Sequence, residues 1–247
     1  MMQLHVIQAR FGDCFLLEYG EAKSLSYMLI DGGPRETYDE HLKPALLDIL
    51  KGHTIIEDVV ISHVDNDHII GVLDLLTDLQ KQKEATGHPP FLSIGQLWFN
   101  SFSNTIGTKD IVSRIGKINR VAAINKVRMD TMSMALNGIR EGSQVLKRTT
   151  NLNIPVNKDA GPGFYLAAKN NPVIKRGDLE ITVVGPTQTN LQKLQVEWEE
   201  WVQKNEQQIA AGKYTREVAM AMDRSVPNLS SIVLHVKDGN KTLLLTG

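Results

Sequence analysis

The chain has 247 residues, 42% of them hydrophobic, with 27 Lys and Arg against 28 Asp and Glu. That is enough apolar material for one large α/β domain or two small ones, and a formal net charge of −1 removes any global electrostatic case for nucleic-acid binding, so such a surface has to be local. No run approaches the ~18 to 20 apolar residues of a membrane span, no secretory pattern opens the chain, and Cys14 is the single cysteine. A cytoplasmic protein with no disulfide framework and no membrane partner is therefore expected.

Residues 4–9 alternate apolar and polar side chains, Gly12 and Asp13 form a turn signal, and residues 14–19 resume a strand, which together predict an antiparallel hairpin. Cys14, inside that second strand, is expected to pack as a small hydrophobe. A third strand over 27–30 ends at Asp31-Gly32-Gly33-Pro34, where two glycines permit a change of direction. Leu42, Ala45, Leu46, Ile49 and Leu50 make a helical stripe over 42–51, with Gly52 as its stop. Val59, Val60 and Ile61 then read as a buried strand over 59–62.

The next six residues hold four potential metal ligands: His63, Asp65, Asp67 and His68. They lie between that strand and a periodic apolar segment read as a helix over 69–85, so they sit on a strand-to-helix turn. Alternation sends His63 and Asp65 to one side, and the turn can swing Asp67 and His68 to a second point nearby. Two adjacent ligand pairs predict two adjacent divalent metal ions. A bland alternative makes Asp67 a helix cap, which leaves the other three polar groups unexplained among Val60, Ile61, Ile69 and Ile70. An EF-hand is excluded, because its sixth and twelfth positions counted from Asp65 are Ile70 and Leu76. The Asp-x-Asp of Asp65 to Asp67 also matches metal-dependent glycosyltransferases, a motif that does not call for the flanking histidines.

Residues 94–99 form a further predicted strand, with Trp98 in the core; His88, beside Pro89 and Pro90, is expected to be exposed. Strand signals vanish over 101–150, which reads as a helical insertion. Within 109–128, Lys109, Arg114, Lys117, Arg120, Lys126 and Arg128 face a single acid, Asp110, a local positive segment that either guides a polyanion or is a solvated helix face. Gly161 to Gly163 mark a loop, residues 179–184 a strand, and Thr189 with Gln192 a capping box for a long helix whose apolar face includes Trp198 and Trp201. Residues 228–236 and 241–247, joined by Asp238-Gly239-Asn240, predict a closing hairpin; His235 lies inside a strand and receives no catalytic role.

The stretch from His63 to His68 resembles the His-x-His-x-Asp-His signature of the metallo-β-lactamase fold, with Asp65 in place of the second histidine. That form is similar to the hydrolase domain of ComEC-type competence proteins and their stand-alone relatives. The resemblance implies a four-layer αββα sandwich carrying the helical insertion. It implies one metal on His63 and Asp65, a second on Asp67 and His68, and Asp31 beneath the loop orienting a ligand or the backbone. Arg10 replaces a glycine often found in the family's first turn, leaving it as an anion contact or a surface residue. Asn228 and Ser231 match the family's Asn-x-x-Ser strand. We take Asp67 and Asp31 as the catalytic residues of a metal-dependent hydrolase, with phosphodiesters, either small or within nucleic acid, as the expected substrates. The carboxylate at Asp65 shifts metal preference from Zn toward Mn or Mg without fixing it. Since the Leu-Leu-Thr-Gly pattern stops before the family's bridging Asp, the 247-residue domain is expected to be incomplete at its C-terminus, to hold metal weakly, and to be inactive or weakly active. A non-catalytic metal-stabilised interaction domain is the contrasting expectation.

Overall fold

The structure is a computed structural model that describes residues 1–101, 109–124, 132–160, 167–168, 173–211 and 230–247. Five strands make the first sheet, in the spatial order β1 (Met2–Val6), β2 (Phe15–Glu21), β3 (Ser24–Ile30), β4 (Ile55–Ile61), β5 (Ser93–Phe99). The hairpins pair β1, β2 and β3 antiparallel, while β3, β4 and β5 run parallel, so β3 and β4 deliver their C-terminal ends side by side. A second, antiparallel sheet follows in the order β6 (Ile174–Arg176), β7 (Leu179–Gly185), β8 (Val233–Asp238), β9 (Lys241–Leu245).

Strand alternation distributes the apolar side chains between two cores. Leu16, Leu29, Val59 and Leu97 point into one core, shared with Leu46 of α1 (Lys43–Leu50) and with Ile69 and Leu76 of α2 (Asn66–Thr86). Their neighbours Leu17, Met28, Val60 and Trp98 point into the other, against Ile181, Leu234 and Val236 of the second sheet. A helical layer, a mixed sheet and a second sheet are thus stacked in that order. The protein is mixed α/β, and among the described residues no helix is long and apolar enough to cross a membrane.

Among the described residues, three further α-helices are α3 (Lys109–Ile124), α4 (Met132–Leu152) and α5 (Gln188–Ala210). Within the region read as an insertion, α4 packs on α2, Val145 joins the first core, and Arg148 donates to Gln80 at 3.0 Å. Trp198 and Trp201 are buried on α5 and meet edge to face, with ring centroids 5.7 Å apart. Cys14 is buried, and burial pushes its thiol above the ordinary range, which keeps it a packed hydrophobe.

Some boundaries differ from the sequence reading for identifiable reasons. β4 begins at Ile55 rather than 59, because the charges that interrupt its apolar run are satisfied in the fold: Glu57 accepts from the Tyr27 backbone, and buried Asp58 accepts twice from Arg176 at 2.9 and 3.0 Å. Arg176 belongs to β6, a strand with no clear sequence signal. Helix α5 is capped by Thr187, whose side chain accepts from the Asn190 N–H, and not by Thr189. Gly161 to Gly163 lie outside the described residues.

Candidate metal centre

The parallel pair β3 and β4 sets the site. Beyond β3 the chain places Asp31, and beyond β4 it places Ser62 and His63, at the carboxyl edge of the sheet where open α/β sheets present their ligands. α2 then starts at Asn66, earlier than the 69 expected, so Asp67 and His68 stand in its first helical turn rather than on the loop before it. Asp65 is the N-cap residue by backbone conformation, yet its side chain makes no capping bond. This removes the capping explanation for the acids: Asp67 is not the cap, and the residue at the cap position leaves its carboxylate free for another use.

Glycines allow the three segments to meet. A Cβ on Gly71 would lie 1.8 Å from the Gly32 carbonyl oxygen, and one on Gly12 would lie 2.2 Å from the Asp67 carbonyl oxygen, both impossible contacts. Backbone bonds from Gly32 N to His68 O at 2.9 Å and from Gly71 N to Gly33 O at 3.0 Å fasten the Asp31 turn to α2.

Two imidazole–carboxylate pairs result. His63 Nε2 is 3.7 Å from Asp65 Oδ2, and His68 Nε2 is 3.7 Å from Asp67 Oδ2. The two rings lie side by side, their centroids 4.0 Å apart. Two bonds of about 2.1 Å bridge a 3.7 Å donor separation at an angle of roughly 120°, and contraction by a few tenths of an ångström reaches tetrahedral geometry. The adjacent rings suit the ~3.5 to 4 Å spacing of two-metal centres. Each pair offers one imidazole nitrogen and one carboxylate oxygen, a set accepted by Zn, Mn or Mg once both are deprotonated.

Asp31 is fully buried with φ +55°. Its Oδ1 accepts from the Ser62 N–H at 2.7 Å; its Oδ2 lies 2.6 Å from Ser62 Oγ and 2.8 Å from His68 Nδ1. A carboxylate so occupied, and away from solvent, holds other groups in place. The Asp31 oxygens are thus engaged by Ser62 and His68.

Asp13 is a carboxylate that the sequence reading treated only as part of a turn. It precedes β2 at the same sheet edge, and Asp13, Asp31 and His68 offer ligand atoms within 4.8 Å of one another. This second way of grouping donors overlaps the first at His68. In that group the oxygens of Asp31 are already engaged by Ser62 and His68.

The electrostatics are those of crowded anions. Burial, joined by the charge of Asp67, raises Asp65 to about 6. Burial, with the neighbouring charges of Asp31 and Asp67, also raises Asp13, while His68 acts the other way. Burial and the proximity of His68 lower His63 to about 4. For His68 burial opposes protonation, but the hydrogen bond to Asp31 and the surrounding acids outweigh it and its pKa rises. A cation placed among these groups would stabilise the carboxylates, and the low value of His63 leaves it neutral at pH 7, as a ligand must be.

Other expected residues stand as follows. Arg10 is engaged by Glu36 at 2.9 Å and Glu40 at 2.6 Å, so it is no free anion contact. In the basic segment Arg114 is paired with Glu206 at 2.6 Å, Lys117 and Arg120 are exposed, and Lys126 and Arg128 lie outside the described residues. Ser231 is buried beside the site's frame, where Ile232 N donates to Ser62 O at 2.8 Å; Asn228 lies outside the described residues. His88 is exposed, and His235 sits within β8 opposite Thr182 and Leu244. Comparison with protein-family models and with curated proteins finds no match to this chain.

Proposed function

We propose that the protein is a metal-dependent hydrolase of metallo-β-lactamase type, its helical layer and two sheets being part of that fold's αββα sandwich, and that it acts on phosphodiester bonds. The observation that carries this reading is the pair of His–Asp sets, His63 with Asp65 and His68 with Asp67, each 3.7 Å apart at one strand edge. Two divalent cations held by His63 with Asp65 and by His68 with Asp67 would supply the acidification of a water and the charge that offsets a developing phosphate oxyanion. The chain's own residues contribute the rest. Asp65 and Asp67 supply the negative charge that offsets cation repulsion, His63 and His68 supply neutral nitrogens, and Asp31 holds His68 with its Nε2 toward Asp67. Small phosphodiesters are the first choice of substrate and nucleic acid the second, because Arg114 is already neutralised by Glu206.

The experiment is hydrolysis of bis(p-nitrophenyl) phosphate, single-stranded DNA, duplex DNA and a lactam, each with Zn, Mn and Mg. Slow, metal-dependent turnover of a phosphodiester is expected, lost in Asp67→Ala while the far-UV circular dichroism stays unchanged. Turnover that survives Asp67→Ala, or that appears with the lactam alone, overturns the proposal. Metal that raises the unfolding temperature with no turnover of any substrate instead supports a metal-stabilised interaction domain.

A further inference from the structure

We propose that Ser62 is a positioning residue whose hydroxyl extends the reach of Asp31 to His63, so that one buried carboxylate sets the tautomer of both histidines. The inference rests on the reading of His63 and His68 as metal ligands. Asp31, as a carboxylate, only accepts, and its Oδ2 lies 2.6 Å from Ser62 Oγ. The one hydroxyl proton of Ser62 is therefore spent on Asp31, since two buried oxygens at that distance with no proton between them would repel. Ser62 Oγ is left as an acceptor. Its neighbour at 3.0 Å is His63 Nδ1, which must then carry hydrogen.

His68 Nδ1 has two candidate partners, Asp31 Oδ2 at 2.8 Å and Ser62 Oγ at 3.4 Å. The shorter contact, to the charged acceptor, is the stronger, so His68 also carries its proton on Nδ1. In their neutral forms both imidazoles thus turn a bare Nε2 toward their carboxylates. An independent feature agrees: both Nε2 atoms stop 3.7 Å from Asp65 and Asp67, beyond hydrogen-bond reach, as two acceptors do when neither brings a proton. The chain His63 Nδ1–H to Ser62 Oγ–H to Asp31 to H–Nδ1 of His68 keeps protons off the atoms that a cation needs. Ser62 and Asp31 are both buried, so water does not compete for these bonds.

The test reads tautomers first and metal second. Long-range proton–nitrogen correlation spectra of the metal-free protein, recorded at alkaline pH where a pH series shows both rings neutral, should show His63 and His68 both as Nδ1–H forms. In Ser62→Ala, His63 should convert to the Nε2–H form while His68 stays, and affinity for one of two Zn ions should fall by about 10- to 100-fold. Ser62→Thr, which keeps the hydroxyl, should restore the His63 tautomer. An Nε2–H form of His63 in the wild type, or an Nδ1–H form retained in Ser62→Ala, overturns the proposal. Should Ser62→Ala fail to fold, the wild-type spectrum and Ser62→Thr still decide. Wild-type protein with the expected tautomers and no Zn binding refutes the metal reading while leaving the relay intact.

Discussion

Replacing Asp31 by Asn keeps the side chain's shape and removes its charge. In the native site Oδ1 takes the Ser62 N–H, while Oδ2 takes Ser62 Oγ–H and His68 Nδ1–H. An amide can keep the first bond only by placing its NH2 where Oδ2 stood, and there it meets two groups that were donors. Ser62 can rotate its proton away, and His68 can accept only by moving its own proton to Nε2. That tautomer closes the metal-facing lone pair. Loss of a carboxylate that orients a histidine ligand costs about 10- to 100-fold in metal affinity, or ~1.4 to 2.7 kcal/mol, and the enforced tautomer places Asp31→Asn at the upper end. Two hydrogen bonds to a charged group are also weakened, so the metal-free variant should unfold about 2 to 4 kcal/mol more easily. Chelator competition for Zn and urea unfolding in EDTA measure the two quantities. Zn affinity within a factor of two of wild type, in a variant that folds, would refute this account of Asp31.

Arg176 bonds Asp58 through two nitrogens, and Asp58 is fully buried, so Arg176→Met should leave an unpaired buried charge and cost about 3 to 5 kcal/mol in urea unfolding. Adding Asp58→Asn to it should recover part of that loss; an additive double variant would contradict the pairing. Burial opposes ionisation of Asp78, but hydrogen bonds from Lys43 and Tyr38 outweigh it and hold Asp78 below the ordinary carboxylate range. Because the folded value is the lower one, its stabilisation is full above about pH 4 and is lost as pH falls through the folded value. Thermal unfolding of Asp78→Asn should therefore fall less steeply in acid than wild type, and identical acid limbs would exclude the contribution.

Much of the candidate site was legible because its residues are local. His63, Asp65, Asp67 and His68 occupy six consecutive positions between an apolar run and an apolar period, and local spacing is what sequence patterns report. The hairpins of the first sheet and the turn at Asp31 were readable for the same reason. Asp13 was not, since its approach to His68 depends on where β2 lies relative to α2, and a Gly-Asp turn is common without a site. Ser62 stood in plain view before His63, but its part depends on the direction of one hydroxyl between two chain segments. Asp58 and Arg176 are 118 residues apart, and neither neighbourhood marks the other. The helix boundary at Asn66 was missed because polar residues in a first turn look like a loop until the backbone conformation is known.

Metal stoichiometry tests the central claim most directly. Metal-free protein titrated with Zn and, separately, Mn to saturation, with bound metal determined by elemental analysis, should take up two equivalents per chain. His63→Ala should take up one, retaining the site of His68 and Asp67. Wild-type protein that takes up no metal at saturation, or a His63→Ala variant with the wild-type stoichiometry, would contradict the assignment of these pairs as a two-metal centre.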